Sequence, residues 1–196
     1  MKKPPFAEFG ADYVNRLIAA AERAPLAEIE RLAAALIDCW RDDRQFFIFG
    51  NGGSAGNAIH LANDFLYGVS QITGHGLRVQ ALSANTAVIS CLANDQGYEN
   101  IFASQLEVLA QPGDVALALS GSGNSPNILR ALELCKACGV TSFAVLGYSG
   151  GQAKDLADVP IHVAIEDMQI SEDLQLIIGH MLMQWLYEHR DEIKQR

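Results

Sequence analysis

His60 and Asp64 stand four residues apart in a stretch that reads as helix, which puts one side chain above the other on a single face. Glu172 and His180 lie eight apart in a second helical stretch, roughly 80° apart around its axis, so they can border a common face. Taken singly, each histidine has the ordinary reading of a ring satisfied by one structural hydrogen bond. His180, however, interrupts the apolar run Leu174-Gln-Leu-Ile-Ile-Gly-His-Met-Leu-Met, where an unpaired ring is costly and demands a partner. If the two helices meet, the four residues offer two nitrogens and two oxygens, a donor set for a divalent metal such as zinc. The same groups suit proton transfer, so ligand and acid–base roles both stay open for Asp64 and His180.

A second kind of chemistry belongs to two turns rich in glycine and serine. Ser120-Gly-Ser-Gly-Asn-Ser125 follows the apolar run Val115 to Leu119 and precedes Pro126, which opens an apolar-periodic helix. Ser125 suits the cap of that helix, and proline suits its first position, where the missing N–H costs nothing. Gly121 and Gly123 allow a tight fold that aims free N–H groups and three hydroxyls (Ser120, Ser122, Ser125) at one point. That point is a helix N-terminus, which favours an anion. The glycines lack Walker spacing and no lysine follows, so a small phosphate monoester fits better than a nucleoside triphosphate. The plain alternative is a polar surface loop that binds nothing. Gly50-Asn-Gly-Gly-Ser54 repeats the same order of strand, glycine turn and helix, with Asn51, Gly52, Gly53 and Ser54 in the turn. Two such junctions predict loops that converge at the carboxyl edge of one parallel sheet.

The elements that must hold these residues follow from periodicity. Helical stripes cover about 7–24 and 26–40, broken at Pro25, and form a hairpin ahead of the first strand. Buried strands are predicted at 46–49, 77–82, 115–119, 141–146 and 161–165. Between them lie a helix through Tyr67, a loop containing Gly74 and Gly76, and a helix from Asn85 to Leu92. A turn from Ala93 to Tyr98 leads to a helix from Glu99 to Leu109, and another helix ends at Cys138 before Gly139. A short helix reaches Leu156, and a long one runs from about Ile170 to Ile193. Alternating strands and helices predict one domain over 1–196. It is a three-layer α/β/α sandwich on a five-stranded parallel sheet.

With 196 residues and 49% hydrophobic content the chain can bury a full core. A formal charge of −9 argues against non-specific binding of nucleic acid or of an anionic membrane. An anionic substrate therefore needs a local trap such as a helix terminus. No apolar run is long enough to span a bilayer, and the start Met-Lys-Lys-Pro-Pro-Phe lacks the core of a signal peptide, which places the protein in the cytoplasm. Cys39, Cys91, Cys135 and Cys138 do not form a disulfide framework. The lone Cys-x-x-Cys reads as reduced thiols on a helix rather than a metal site. His75, His162 and His189 read as loop, strand and surface residues.

Gly50-Asn-Gly-Gly-Ser54, Ala58-Ile-His60, Ser90-Cys-Leu-Ala-Asn-Asp95 and Ser120-Gly-Ser-Gly-Asn-Ser125 together resemble the sugar isomerase (SIS) domain family, and within it the bacterial phosphoheptose isomerases. The resemblance covers nearly the whole chain. It implies a flavodoxin-like sheet, a homotetramer and an active site shared between subunits. It also implies that Ser120, Ser122 and Ser125 hold a sugar phosphate, that Asn51 and Ser54 contact substrate, and that Asp95 faces it. The family's zinc ligands are His, Glu, Gln and His. His60 and His180 match, whereas Asp64 replaces the Glu, Glu172 replaces the Gln, and Gln169 replaces a substrate-site Asp. The implied activity is aldose–ketose isomerisation of a sugar phosphate, sedoheptulose 7-phosphate to D-glycero-D-manno-heptose 7-phosphate, for surface-glycan synthesis. Asp64 and His180 are then the expected acid–base pair, with a divalent metal as Lewis acid. The rival expectation is a non-catalytic SIS protein that binds a protein partner, as in the replication-initiator-associating type, or one that senses a sugar phosphate.

Overall fold

The computed structural model describes residues 3–70 and 76–190 of the chain. Two helices, α1 (Phe6–Ala21) and α2 (Leu26–Arg41), form the leading hairpin. Then come β1 (Gln45–Gly50), α3 (Gly53–Asn63), β2 (Arg78–Ala81), α4 (Thr86–Gln96), α5 (Ala103–Leu109) and β3 (Val115–Ser120). The chain finishes with α6 (Pro126–Cys138), β4 (Thr141–Leu146), the single turn α7 (Ala153–Leu156), β5 (Val159–His162) and α8 (Met168–Glu188). All pairings are parallel, in the order β2-β1-β3-β4-β5. This is the flavodoxin-like order, whose switch point lies between β1 and β3.

Successive side chains of β1 face opposite sides of the sheet, and both sides are covered, so Phe46 to Phe49 are all fully buried. Phe46 and Ile48 pack under α2, α3 and α8 together with Leu36, Leu61 and Ile178. Phe47 and Phe49 pack on the other side with Phe102, Ile128 and Leu132. The hairpin adds a smaller cluster, where Ala20 and Tyr13 of α1 meet Ile170 and Leu174 of α8.

Several boundaries differ from the sequence reading, each for a physical reason. The turn expected from Ala93 is helix through Gln96, and α4 stops only at Gly97, whose φ of +91° suits glycine. The last strand starts at Val159, not Ile161. Pro160 is tolerated because β5 is an edge strand with no further neighbour needing its N–H. The helix expected to run through Tyr67 changes to a π-helical segment at Asp64–Gly68. The Gly74 loop, His75 and the expected helix end at Ile193 lie outside the described residues.

Candidate active site

Gly50 at the end of β1 pairs with Leu119 at the end of β3, so the two glycine turns leave neighbouring strands side by side. The first turns back sharply. A Cβ at Gly50 would lie 2.8 Å from both the Leu119 carbonyl oxygen and the Ser54 Cβ, so only glycine fits. Asn51 Nδ2 donates to Asn127 Oδ1 at 2.9 Å, and Asn127 Nδ2 donates to Asn51 Oδ1 at 2.8 Å, which ties the first turn to the start of α6. The Tyr98 hydroxyl donates to the same Asn51 oxygen at 3.0 Å.

Between the turns lies a pocket of about 280 Å³ lined by Asn51, Gly52, Gly53, Ser54, Leu119, Ser120, Gly121, Ser122, Ser125, Met168 and Glu172. It is closed on one side by the start of α8, which adds the Glu172 carboxylate, and flanked by the N-termini of α3 and α6, whose dipoles favour an anion. Within the serine turn the hydroxyls differ. Ser120 Oγ is buried and accepts from the Gly123 N–H at 3.1 Å, which holds the turn in shape. Ser125 stands at the cap position of α6 but makes no capping bond with its side chain. Asp95, expected to face substrate, is instead exposed near the end of α4, bonded to Cys91 Sγ and Asn94 Nδ2, and lines no part of this pocket.

Helices α3 and α8 do meet. His60 Nε2 and His180 Nε2 are 3.0 Å apart, and each lies 3.3 Å from Asp64 Oδ2. A tetrahedral site with metal–ligand distances of about 2.0–2.1 Å has ligand atoms about 3.3–3.4 Å apart, so these three donors fit a zinc-like ion. They are the one such group of histidine, cysteine and carboxylate side chains among the described residues. Close approach of the helices rests on Gly179, where a Cβ would strike the Leu61 side chain. A buried polar chain reinforces it: Gln175 Nε2 donates to Ser54 Oγ at 3.0 Å, while Asn57 Nδ2 donates to Gln175 Oε1 and to the Glu172 carbonyl. Glu172, expected as a fourth ligand, does not join the three. Its carboxylate turns the other way, onto Gly53 at the opening of α3, where a Cβ would collide with both carboxylate oxygens.

Asn127, Gln175 and Met168 belong to the site and were not picked out from the sequence. Asn127 and Gln175 did carry a signal, because each is a polar residue on the otherwise apolar face of its helix and so had to find a buried partner. Among the thiols, burial pushes Cys39 and Cys135 up to about 12, which leaves them inert core residues. His162 bonds the Tyr148 carbonyl and His189 stacks on Trp185, both away from the pocket.

The chain belongs to the SIS domain family, whose model matches residues 11–147. Among relatives, it is similar to the phosphoheptose isomerase of Trichlorobacter lovleyi, with 38% identity over 159 residues, 81% of this chain and 79% of that protein. It is 34% identical to the phosphoheptose isomerase of Aneurinibacillus thermoaerophilus over 83% of this chain and 81% of that one. The solved phosphoheptose isomerase of Neisseria gonorrhoeae superposes with a TM-score of 0.84 at 26% identity, covering 93% of this chain and 98% of that structure. The Francisella tularensis structure, at 24% identity and a TM-score of 0.85, matches in fold.

Proposed function

We propose that the protein is an aldose–ketose isomerase acting on a sugar phosphate, with sedoheptulose 7-phosphate as its substrate and D-glycero-D-manno-heptose 7-phosphate as product. The observation that carries this reading is the pairing of a phosphate-suited pocket at the β1/β3 switch point with the His60–Asp64–His180 cluster on the two helices that wall it. A rival that only binds a protein partner or senses sugar phosphate has no use for that cluster. The names of the relatives support the same substrate class.

The N–H groups at the start of α6, with the Ser122 and Ser125 hydroxyls, take the phosphate and fix the sugar, while the Glu172 carboxylate sits at the start of α3. Ser120 keeps its turn in the shape that lets them do so. His60, Asp64 and His180 would hold a divalent ion such as zinc, which supplies Lewis-acid stabilisation of negative charge on a sugar oxygen. His180 then serves as a ligand through Nε2, the nitrogen that meets His60 and Asp64.

Assembly belongs to the same reading. A largely apolar groove of about 300 Å³ between α2 and α8 is lined by Leu26, Ile29, Ala33, Met181, Leu182 and Trp185, with Glu30 as its one charged residue. Beside it, α1 exposes Phe6, Phe9, Val14 and Ile18. Further copies of the chain would cover these surfaces in a homotetramer, and Asp95 would reach substrate only across such an interface. Among the described residues no helix is long and apolar enough to cross a membrane.

The test is His180→Ala. Metal measured by elemental analysis should be lost, and turnover of folded protein should fall with it as the Lewis acid is removed. Undiminished turnover with only a lower melting temperature would make His180 a structural residue and favour the binding protein.

A further inference from the structure

We propose, resting on the reading of the pocket as a sugar-phosphate site, that Tyr98 and Asn127 are positioning residues. They lock the Asn51 amide so that it presents an N–H donor, and no acceptor, to an oxygen of the bound sugar. An asparagine at the wall of a pocket is ambiguous until its neighbours orient it, because its amide carries two acceptor lone pairs and two N–H donors. At Asn51 both lone pairs are used. Oδ1 accepts from Asn127 Nδ2 at 2.8 Å and from the Tyr98 hydroxyl at 3.0 Å. One N–H of Nδ2 goes to Asn127 Oδ1 at 2.9 Å, and the other has no partner among the described residues. Asn51 lines the pocket, whereas Tyr98 and Asn127 line no part of it. What Asn51 has left for a ligand is therefore a single N–H. Its complement is an oxygen lone pair of a sugar hydroxyl or carbonyl, while the serine turn serves the phosphate.

The lock needs both partners. A reciprocal pair of amides is bonded equally well when both turn over together, and Asn51 turned over would show the pocket an oxygen instead. Tyr98 decides between the two arrangements. A phenol hydroxyl is a stronger donor than acceptor, so it favours the one in which Asn51 Oδ1 faces it. Asn127 is buried at the second position of α6, so it fixes the other edge of the amide out of reach of water. The same helix also holds the short 3₁₀ turn Tyr98–Asn100, because Arg130, three residues beyond Asn127, donates to Asn100 Oδ1 at 2.5 Å. The backbone of the Asn51 turn is secured separately, by the Ser83 hydroxyl donating to the Gly50 carbonyl at 2.9 Å. Loss of the Tyr98 hydroxyl therefore releases the amide and not the turn.

Tyr98 is half exposed, so Tyr98→Phe removes one hydroxyl and leaves the core untouched. Affinity for sedoheptulose 7-phosphate, read by titration calorimetry, should fall about threefold to tenfold, the effect of one neutral hydrogen bond. Affinity for inorganic phosphate should match wild type. In an Asn51→Ala background the same Tyr98→Phe change should have no further effect, because the hydroxyl acts only through the amide. Asn127→Ala should lower sugar-phosphate affinity at least as far, and Tyr98→Phe carries the test if loss of that buried residue prevents folding.

Unchanged sugar-phosphate affinity in Tyr98→Phe would overturn the assignment. Equal losses for both ligands would make Tyr98 a prop of the whole pocket and overturn it too, as would a loss that persists in Asn51→Ala. Equal wild-type affinity for inorganic phosphate and sedoheptulose 7-phosphate would also overturn it, since no sugar oxygen is then read. A wild-type protein that binds sedoheptulose 7-phosphate but converts no sugar phosphate would overturn the isomerase reading alone, because the same affinities still test the lock.

Discussion

The three serines differ in what their hydroxyls already do, and Ser122 accepts only a long bond from the Asn124 N–H at 3.3 Å. Ser120 spends its oxygen on the Gly123 N–H inside the turn, whereas Ser125 caps α6 by position without a side-chain bond. Replacing Ser122 and Ser125 together by alanine should therefore weaken sugar-phosphate binding by about 1–3 kcal/mol and leave the fold intact. Titration calorimetry reads this directly, and unchanged affinity would place the ligand elsewhere. Ser120→Ala should act differently, by freeing the turn and lowering the melting temperature as well. At Asp64 the decisive atom is one oxygen shared by two rings. Asp64→Asn keeps the shape but loses the charge, and should strip most of the bound metal on dialysis, which elemental analysis would show.

Helix α8 is the element on which both halves of the site depend, because it carries Glu172 near its start and His180 two turns further on. Its start is anchored from the hairpin. Asp167 caps it by accepting from the Ile170 N–H, and Arg16 of α1 donates to the same carboxylate, while Tyr13 donates to Asp173. The Arg16 guanidinium holds the Asp167 carboxyl below its ordinary value of 3.8, with the Ile170 N–H adding to the effect. A carboxyl lowered in the folded state stabilises the fold above its unfolded value and loses that contribution as pH falls through the folded one. Asp167→Ala should thus cost about 1 kcal/mol of stability at neutral pH, the usual effect of losing a cap, and the deficit should shrink below pH 3.8. Urea unfolding at both pH values checks the sign. The sequence displayed α8, because Ile170, Leu174, Ile178 and Leu182 recur at helical spacing. It displayed the i, i+4 pairing of His60 with Asp64 for the same reason. It could not display the meeting of α3 with α8, which depends on Gly179 and Leu61 being neighbours across more than a hundred residues. Nor could it display the rotation of Glu172 onto Gly53 or the π-helical segment at Asp64, since both are set by packing and not by spacing.

At the scale of the whole molecule, five parallel strands place both glycine turns at one edge. A chain of formal charge −9 needs that local trap to hold an anion at all. The apolar groove along α2 and α8 and the outer side of α1 predict association, and light scattering should give about four times the 21.2 kDa chain mass. A monomer at micromolar concentration would remove the interface across which Asp95 is expected to act. The central claim is tested most directly by incubating the purified protein with a panel of five- to seven-carbon ketose phosphates, with and without chelator. Interconversion to the aldose would be followed by NMR. Turnover of sedoheptulose 7-phosphate, lost on chelation and restored by a divalent metal, is the predicted result. Tight binding of sugar phosphates with no interconversion of any of them would contradict it and leave a sensor in place of an enzyme.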